Sequence, residues 1–356
     1  MNKRLRLALV GCGGRGLGMI DIASSFNDIE LIALCDNNSK ILKKASEKFP
    51  KAEVFDDFTT MLDNANLDIL LVETPAKEHA EFAVEALKHN INVMTDIPCV
   101  STLEEADELW EAQKNSSAMF MTGANPNMQA FIRSMQKVVK KDLIGKPSYI
   151  ECEYIHDCRC YWEETPWRKT MEPIIYCTHS LGPMLTILKD DLRYVSCFDT
   201  GSHINNTDDQ HDLMSALFRT EDNTIVRLMV SFINEYPDSH HHYRIIGTKG
   251  AWERSVDYGD GEQCYFYSKD IHEEQKFYPT SSGVLLNEYI GNPNAKGHGG
   301  CDYALWDALI KALRSNEKIP PISLRQGLQM SIPGIFAAQS AANGGELTKI
   351  TYPWDK

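Results

Sequence analysis

The chain has 356 residues, enough for two domains, each with a buried core, and 43% hydrophobic with 24% charged residues is ordinary globular composition. Thirty-six Lys and Arg against 50 Asp and Glu leave a formal charge of −14, and no basic block offers a footing for phosphates, so no nucleic-acid partner is expected. No apolar run nears the roughly 18 residues that span a bilayer, and the short apolar start before Gly11 is too brief for a signal-peptide core. Ten cysteines without a paired framework predict reduced, mostly buried thiols and a cytoplasmic location.

Short β-type runs at 5–10, 29–35, 53–55, 69–73, 91–95 and 118–122 alternate with helical patterns. This predicts a parallel sheet wrapped by helices. Thr102-Leu103-Glu104-Glu105 reads as a capping box that opens a helix to about residue 115. A further helix near 128–140 leads to the turn Gly145-Lys146-Pro147, after which the texture changes. Runs at 149–154, 213–218, 225–231, 242–246, 252–256 and 263–267, separated by Asp, Asn and Gly turns, predict an antiparallel sheet. Two late helices follow at 301–315 and 323–342. The expected fold class is α/β, with a dinucleotide-binding domain over 1–124. A second domain is expected over 125–356, its final helices free to pack back on the first.

The first strand enters Gly11-Cys12-Gly13-Gly14-Arg15-Gly16 and then an amphipathic helix with Leu17, Ile20, Ala23 and Phe26 inward. Each glycine serves a separate purpose, with a tight turn at Gly11, backbone approach to a pyrophosphate at Gly13, and helix-on-strand packing at Gly16. The helix N-terminus then faces the anion. Asp36, twenty residues after Gly16 at the end of the next strand, can accept both hydroxyls of an adenosine ribose and would repel a 2′-phosphate. NAD is therefore expected over NADP. Capping of the following turn is the alternative role for Asp36.

With the fingerprint, Asp36, and the loops Glu73-Thr74-Pro75 and Asp96-Ile97-Pro98 at successive strand ends, the chain resembles the Gfo/Idh/MocA oxidoreductase family. The likeness extends to Ile245-Ile246-Gly247-Thr248-Lys249-Gly250 and covers nearly the whole chain. It implies an N-terminal Rossmann domain, a C-terminal α/β domain on an open antiparallel sheet, carbohydrate chemistry, and a homodimer or homotetramer. The expected cofactor residues are Gly11, Gly13, Gly14, Arg15, Gly16, Asp36, Thr74, Pro75, His79, Asp96, Pro98 and Asn125. Asn125 is also readable as a turn residue. Family dehydrogenases carry Glu-Lys-Pro where this chain has Asp96-Ile97-Pro98, so the lysine that orients the substrate hydroxyl is replaced by Ile97. The family's Asp-x-Gly-x-x-His-like aspartate is likewise missing before His179.

Tyr176-Cys177-Thr178-His179-Ser180-Leu181-Gly182-Pro183 and Gly297-His298-Gly299-Gly300-Cys301-Asp302 are similar to the NAD-dependent glycosidase branch, glycoside hydrolase family 109. That resemblance implies redox-neutral glycoside cleavage through a 3-keto sugar, which needs one base, one acid and a hydride carrier. Tyr176, His179 and His298 are the catalytic candidates. His156, Trp162, Trp167 and Arg168 are candidates for a substrate wall. Net oxidation of a sugar or cyclitol, and a non-catalytic NAD-binding regulator, are the alternatives. Neither Cys158-Arg159-Cys160 nor His240-His241-His242 has the spacing or the carboxylates of a metal site, and no metal is expected.

Overall fold

The computed structural model describes residues 3–163, 165–204, 211–236, 240–257, 261–280, 287–315 and 319–356. Six strands and five helices alternate through the first third: β1 (Leu5–Val10), α1 (Gly14–Ala23), β2 (Ile29–Cys35), α2 (Ser39–Lys48), β3 (Glu53–Phe55), α3 (Phe58–Asn64), β4 (Ile69–Val72), α4 (His79–Lys88), β5 (Asn92–Thr95), α5 (Leu103–Lys114) and β6 (Phe120–Thr122). The strands are parallel, in the order β3-β2-β1-β4-β5-β6. A strand covered on both faces reads as an unbroken apolar run, and all four residues of β4 are buried. Helix ends follow local chemistry: the Asn38 side chain accepts from the N–H groups of Lys40 and Ile41, and Thr102 with Glu105 closes a complete capping box on α5.

The chain continues through α6 (Ala130–Lys140), β7 (Pro147–Ile155), α7 (Thr178–Leu185), β8 (Leu192–Asp199), β9 (Met214–Thr220), β10 (Ile225–Ser231), β11 (His240–Gly247), β12 (Gly250–Asp257), β13 (Gly261–Ser268) and β14 (Tyr278–Thr280). It closes with α8 (Cys301–Arg314), α9 (Leu324–Ala342) and β15 (Thr348–Lys349). The second sheet runs β14-β13-β12-β11-β7-β10-β9-β8-β15. Its pairs are antiparallel except β7 with β10: α7 carries the chain across before the β8–β9–β10 meander returns, so β10 arrives alongside β7 in the same direction. β8 is not among the predicted strands. Its buried residues Leu192, Val195 and Cys197 are spaced by three and then two, because the register slips between Leu192 and Tyr194, and that slip spoils the alternation a strand is recognised by.

One face of this sheet buries Ile150, Cys152, Tyr154, Leu228, Tyr243, Ile245 and Trp252. The other carries an ion ladder: Arg227 bridges Glu151 and Glu153, and Arg244 bridges Glu151 at 3.1 Å and Glu253 at 3.2 Å. Phe198, Leu217 and Ile246, exposed by 64%, 53% and 42%, stand on that same face.

The chain forms two compact units, Met1–Asn125 with Asn287–Leu328, and Pro126–Leu286 with Gln329–Lys356. Within the first, α8 lies on α1: the Trp306 indole N–H donates to the Met19 carbonyl at 3.0 Å, and the Phe26 and Tyr303 rings stack at 4.5 Å. The Thr122 N–H donates to the Ile322 carbonyl at 2.9 Å, which extends the sheet edge at β6. Among the described residues no helix is long and apolar enough to cross a membrane.

Candidate active site

The glycine loop divides its functions as its spacing predicts. Gly11 has φ +89, and a Cβ there would lie 2.6 Å from the Glu73 carbonyl; one on Gly16 would lie 2.2 Å from the Gly11 oxygen. Both positions therefore need glycine. At Gly13 and Gly14 an added Cβ meets nothing within 4 Å, so the backbone lies open, and Gly13 caps α1 with no side chain on the first N–H groups. This is a cradle for an anion at a helix N-terminus. Asp36 accepts the Cys12 N–H on one oxygen and the Asn38 N–H on the other, each at 2.8 Å. Holding this turn fixes the carboxylate beside the cradle, with lone pairs left for ribose hydroxyls. A dinucleotide fits: the cradle would hold the pyrophosphate, and Asp36 the adenosine side.

Thr74-Pro75 and Asp96-Pro98 follow β4 and β5. His79, 2% exposed, ties these two loops together, its ring nitrogens each 2.8 Å from a carbonyl oxygen, Pro98 on one side and Thr74 on the other. Both nitrogens are spent on backbone, so the imidazole holds the loops rather than presenting itself to a ligand.

Arg15 is the centre of a half-buried charge cluster. Its guanidinium grips Asp302 with two N–H groups at 2.7 and 3.1 Å, while Nε lies 3.4 Å from Asp96 and 3.7 Å from Glu73. Burial opposes the Arg15 charge, but Asp96, Glu73 and Asp302 outweigh it and raise its pKa. Asp302 also accepts from Asn125 at 3.1 Å and lies 2.8 Å from His298 Nδ1. Burial resists its ionisation, yet His298 and Arg15 hold its carboxyl below the usual carboxylate range. His298 stands at φ 45 between glycines of positive φ, in the left-handed region that non-glycine residues seldom occupy. That turn brings Nδ1 to Asp302 and leaves the rest of a half-exposed ring outward, an orientation by a carboxylate familiar from catalytic histidines.

In the second unit, His179 and Tyr176 lie in a stack of rings. Tyr154 stacks on His179 at 4.8 Å and on His241 at 4.5 Å, Tyr176 lies 4.8 Å from His179, and Phe232 meets Tyr154 edge-on at 5.7 Å. The η-hydroxyl of Tyr243 donates to the His179 carbonyl at 3.0 Å and pins α7 there. Burial, with smaller pushes from Tyr176 and Cys158, raises the Tyr154 phenol well above its ordinary range, so it stays neutral. Tyr154 Oη is 3.0 Å from His156 Nδ1. Arg168 lies over Trp167 at 4.6 Å and Tyr176 at 6.0 Å.

His156, Trp167, Arg168, Tyr176 and His179 are thus brought together, while Trp162 packs against Lys169 at 6.0 Å. His242 lies 3.3 Å from Glu253 on the outer sheet face, opposite in facing to the buried stack that holds His241; the His240 side chain lies outside the described residues. Among those residues no group of three His, Cys, Asp or Glu side chains is placed to hold a metal. Sequence reasoning gave no role to Tyr154, His241 or Glu73. The alternation of Ile150, Cys152 and Tyr154 was the available signal for the first. It marks one strand face without saying what packs on it.

The family model described as "Oxidoreductase family, NAD-binding Rossmann fold" matches residues 5–124, and that described as "GFO/IDH/MocA C-terminal domain" matches residues 132–253. An alpha-N-acetylgalactosaminidase of Shewanella oneidensis is 22% identical over 387 aligned positions, covering 95% of this chain and 83% of that protein. Among solved structures, an oxidoreductase from Agrobacterium radiobacter in complex with NAD+, L-tartaric acid and magnesium is similar with a TM-score of 0.82 at 18% identity, over 98% of both chains. A scyllo-inositol dehydrogenase from Lactobacillus casei with NAD(H) and scyllo-inositol has a TM-score of 0.76 at 17% identity, over 98% of this chain and 99% of that one. The two family models, in sequence and across most of the chain, agree with the cradle and the paired sheets, and the protein belongs to the NAD-dependent enzymes of the Gfo/Idh/MocA oxidoreductase family.

Proposed function

We propose that the protein cleaves a glycoside without net oxidation, through a sugar oxidised for a time at a ring hydroxyl carbon, most simply C3. The observation that carries this reading is the buried stack of Tyr176, His179 and Tyr154, an acid–base pair in a chain whose usual dehydrogenase lysine is replaced by Ile97. NAD, when bound, would supply the acceptor for the hydride from that carbon, whose hydroxyl proton passes to solvent and is taken up again when the hydride returns. The chain's own residues handle protons. A ring nitrogen of His179 takes the C2 proton, which the adjacent ketone has made acidic; the electron pair expels the aglycone oxygen from C1, and the Tyr176 hydroxyl protonates it as it leaves. Water then adds at C1, and a proton returns to C2. The N-acetylgalactosaminidase relative makes N-acetylhexosaminides the first substrates to try. Net oxidation of a sugar or cyclitol is the second reading, favoured by the His298–Asp302 pair at 2.8 Å, which could stand in for the lysine as base.

The test is turnover of a panel of p-nitrophenyl glycosides and free sugars in D₂O. Nitrophenolate release, deuterium at C2 of the product and no accumulating NADH are expected. His179→Ala and Tyr176→Phe should each lower kcat by roughly 10²–10⁴-fold with NAD affinity unchanged, because both lie in the second unit and the cradle in the first. Stoichiometric NADH from a free sugar without deuterium at C2 would replace this reading by the dehydrogenase one.

We infer that the open face of the second sheet pairs with a second copy of the chain. Its ladder of Glu151, Arg227, Arg244 and Glu253 alternates in sign and so complements itself under a two-fold axis, and the exposed Phe198, Leu217 and Ile246 supply apolar area. Nine of the ten cysteines are buried, which fits the reducing cytoplasm.

A further inference from the structure

Glu73 takes no part in the proton transfers to and from the sugar, and its surroundings give it a role at the cofactor. It follows β4, which lies between β1 and β5 in a sheet ordered β3-β2-β1-β4-β5-β6. A dinucleotide crosses such a sheet at the switch point between β1 and β4. With Asp36 fixing the adenosine side at the end of β2, the nicotinamide half belongs over the ends of β4, β5 and β6. Glu73, Asp96 and Asn125 follow those three strands.

The charges there do not balance. Three carboxyl groups, Glu73, Asp96 and Asp302, surround one guanidinium. Asp302 on α8 takes the two terminal nitrogens of Arg15 from α1 and is further satisfied by Asn125 and His298. Only Nε remains for the other two carboxyls. From α4 the titratable group at this edge is His79, already held between two carbonyls. The Glu73 side chain is 2% exposed, and no hydrogen-bond donor reaches its Oε2, so a full negative charge there would be poorly compensated. Burial, then the charge on Asp96, push the Glu73 carboxyl well above its ordinary range, and a hydrogen bond to Asp96 adds to that. With Arg15 Nε as the one cation left to it and the Asp96 carboxyl beside it, Glu73 keeps its proton.

We propose that Glu73, with the Asp96 carboxyl beside it, makes this protein discriminate oxidised from reduced dinucleotide: Glu73 keeps its proton beside the neutral reduced ring and gives it up to solvent beside the cationic oxidised one. No electrons move in this step; the O–H bond of Glu73 breaks, the proton enters bulk water, and the cationic ring replaces it as counter-charge to the second carboxylate. The preference for NAD+ over NADH then rises with pH, up to tenfold per unit, until Glu73 is ionised without the ring. Pyrophosphate and adenosine are common to both forms and cancel in the comparison. The inference rests on NAD binding alone, so it stands or falls apart from the carbohydrate reaction.

The experiment is calorimetric titration of wild-type, Glu73→Gln and Asp96→Asn protein with NAD+ and with NADH, in buffers of differing ionisation enthalpy between about pH 5 and 9. Wild-type protein should release close to one proton more with NAD+ than with NADH, and its affinity ratio should climb with pH. Glu73→Gln should abolish the difference and flatten the ratio, and Asp96→Asn should shrink both. Equal proton counts in the wild type, or an unchanged difference in Glu73→Gln, overturns the proposal. Should Glu73→Gln fail to fold or bind, infrared difference spectra of the wild type decide it. NAD+ but not NADH should bleach a protonated-carboxyl C=O band, and no bleaching overturns the proposal.

Discussion

Asp36 has both oxygens engaged by backbone N–H groups, so its charge is fixed in place before any ribose arrives. Asp36→Ala should weaken NAD binding roughly 10–100-fold, the range for losing a hydrogen bond to a charged group, and should narrow the gap to NADP because the repelling carboxylate is gone. Calorimetry checks this. Tighter binding of NADP than NAD by the unmutated protein would remove the assignment. The need for glycine at Gly11 and Gly16 could be read from sequence because it follows from a fixed spacing. Glu73 could not: its proton is set by Arg15, Asp96 and Asp302, which meet only after α1, β5 and α8 have been brought to one strand end. The missing lysine was legible as Ile97. His298 was legible as a candidate, but its contact with Asp302 was not, since that contact depends on a backbone turn of positive φ values.

At the scale of elements, the capping box on α5 gives a direct check. Thr102→Ala removes the acceptor for the Glu105 N–H at 3.1 Å and should cost about 1 kcal/mol in denaturant unfolding, with cofactor affinity untouched; no loss of stability would mean that the N-terminal turn of α5 contributes nothing. Strands with a clean alternation, such as β10 and β12, were legible to within a few residues, and the slipped β8 was not. His241 shows the same limit from the other side. Period-two reasoning put it on the face opposite His242, and the faces do differ, but only the tertiary fold brings Tyr154 from β7 against it through the register that opposes the two residues.

At the scale of the molecule, light scattering at micromolar concentration should find a dimer or tetramer, and Phe198→Glu with Leu217→Glu should shift it toward monomer without lowering stability much, since both side chains are more than half exposed. A monomeric wild-type protein would remove the sheet-face inference. The order of elements was legible because the period of the apolar pattern changes near Gly145. The return of Asn287–Leu328 to the first unit has a consequence for synthesis. Until α8 leaves the ribosome, the side of α1 that receives Trp306 and Tyr303 has nothing to lie on, and the edge of β6 lacks Ile322. At 5–20 residues per second, the about two hundred residues between Asn125 and Leu328 take roughly 10–40 s to make. For that interval the dinucleotide half waits incomplete, exposed to chaperones and proteases, while the later-made sheet has all but its last strand in hand.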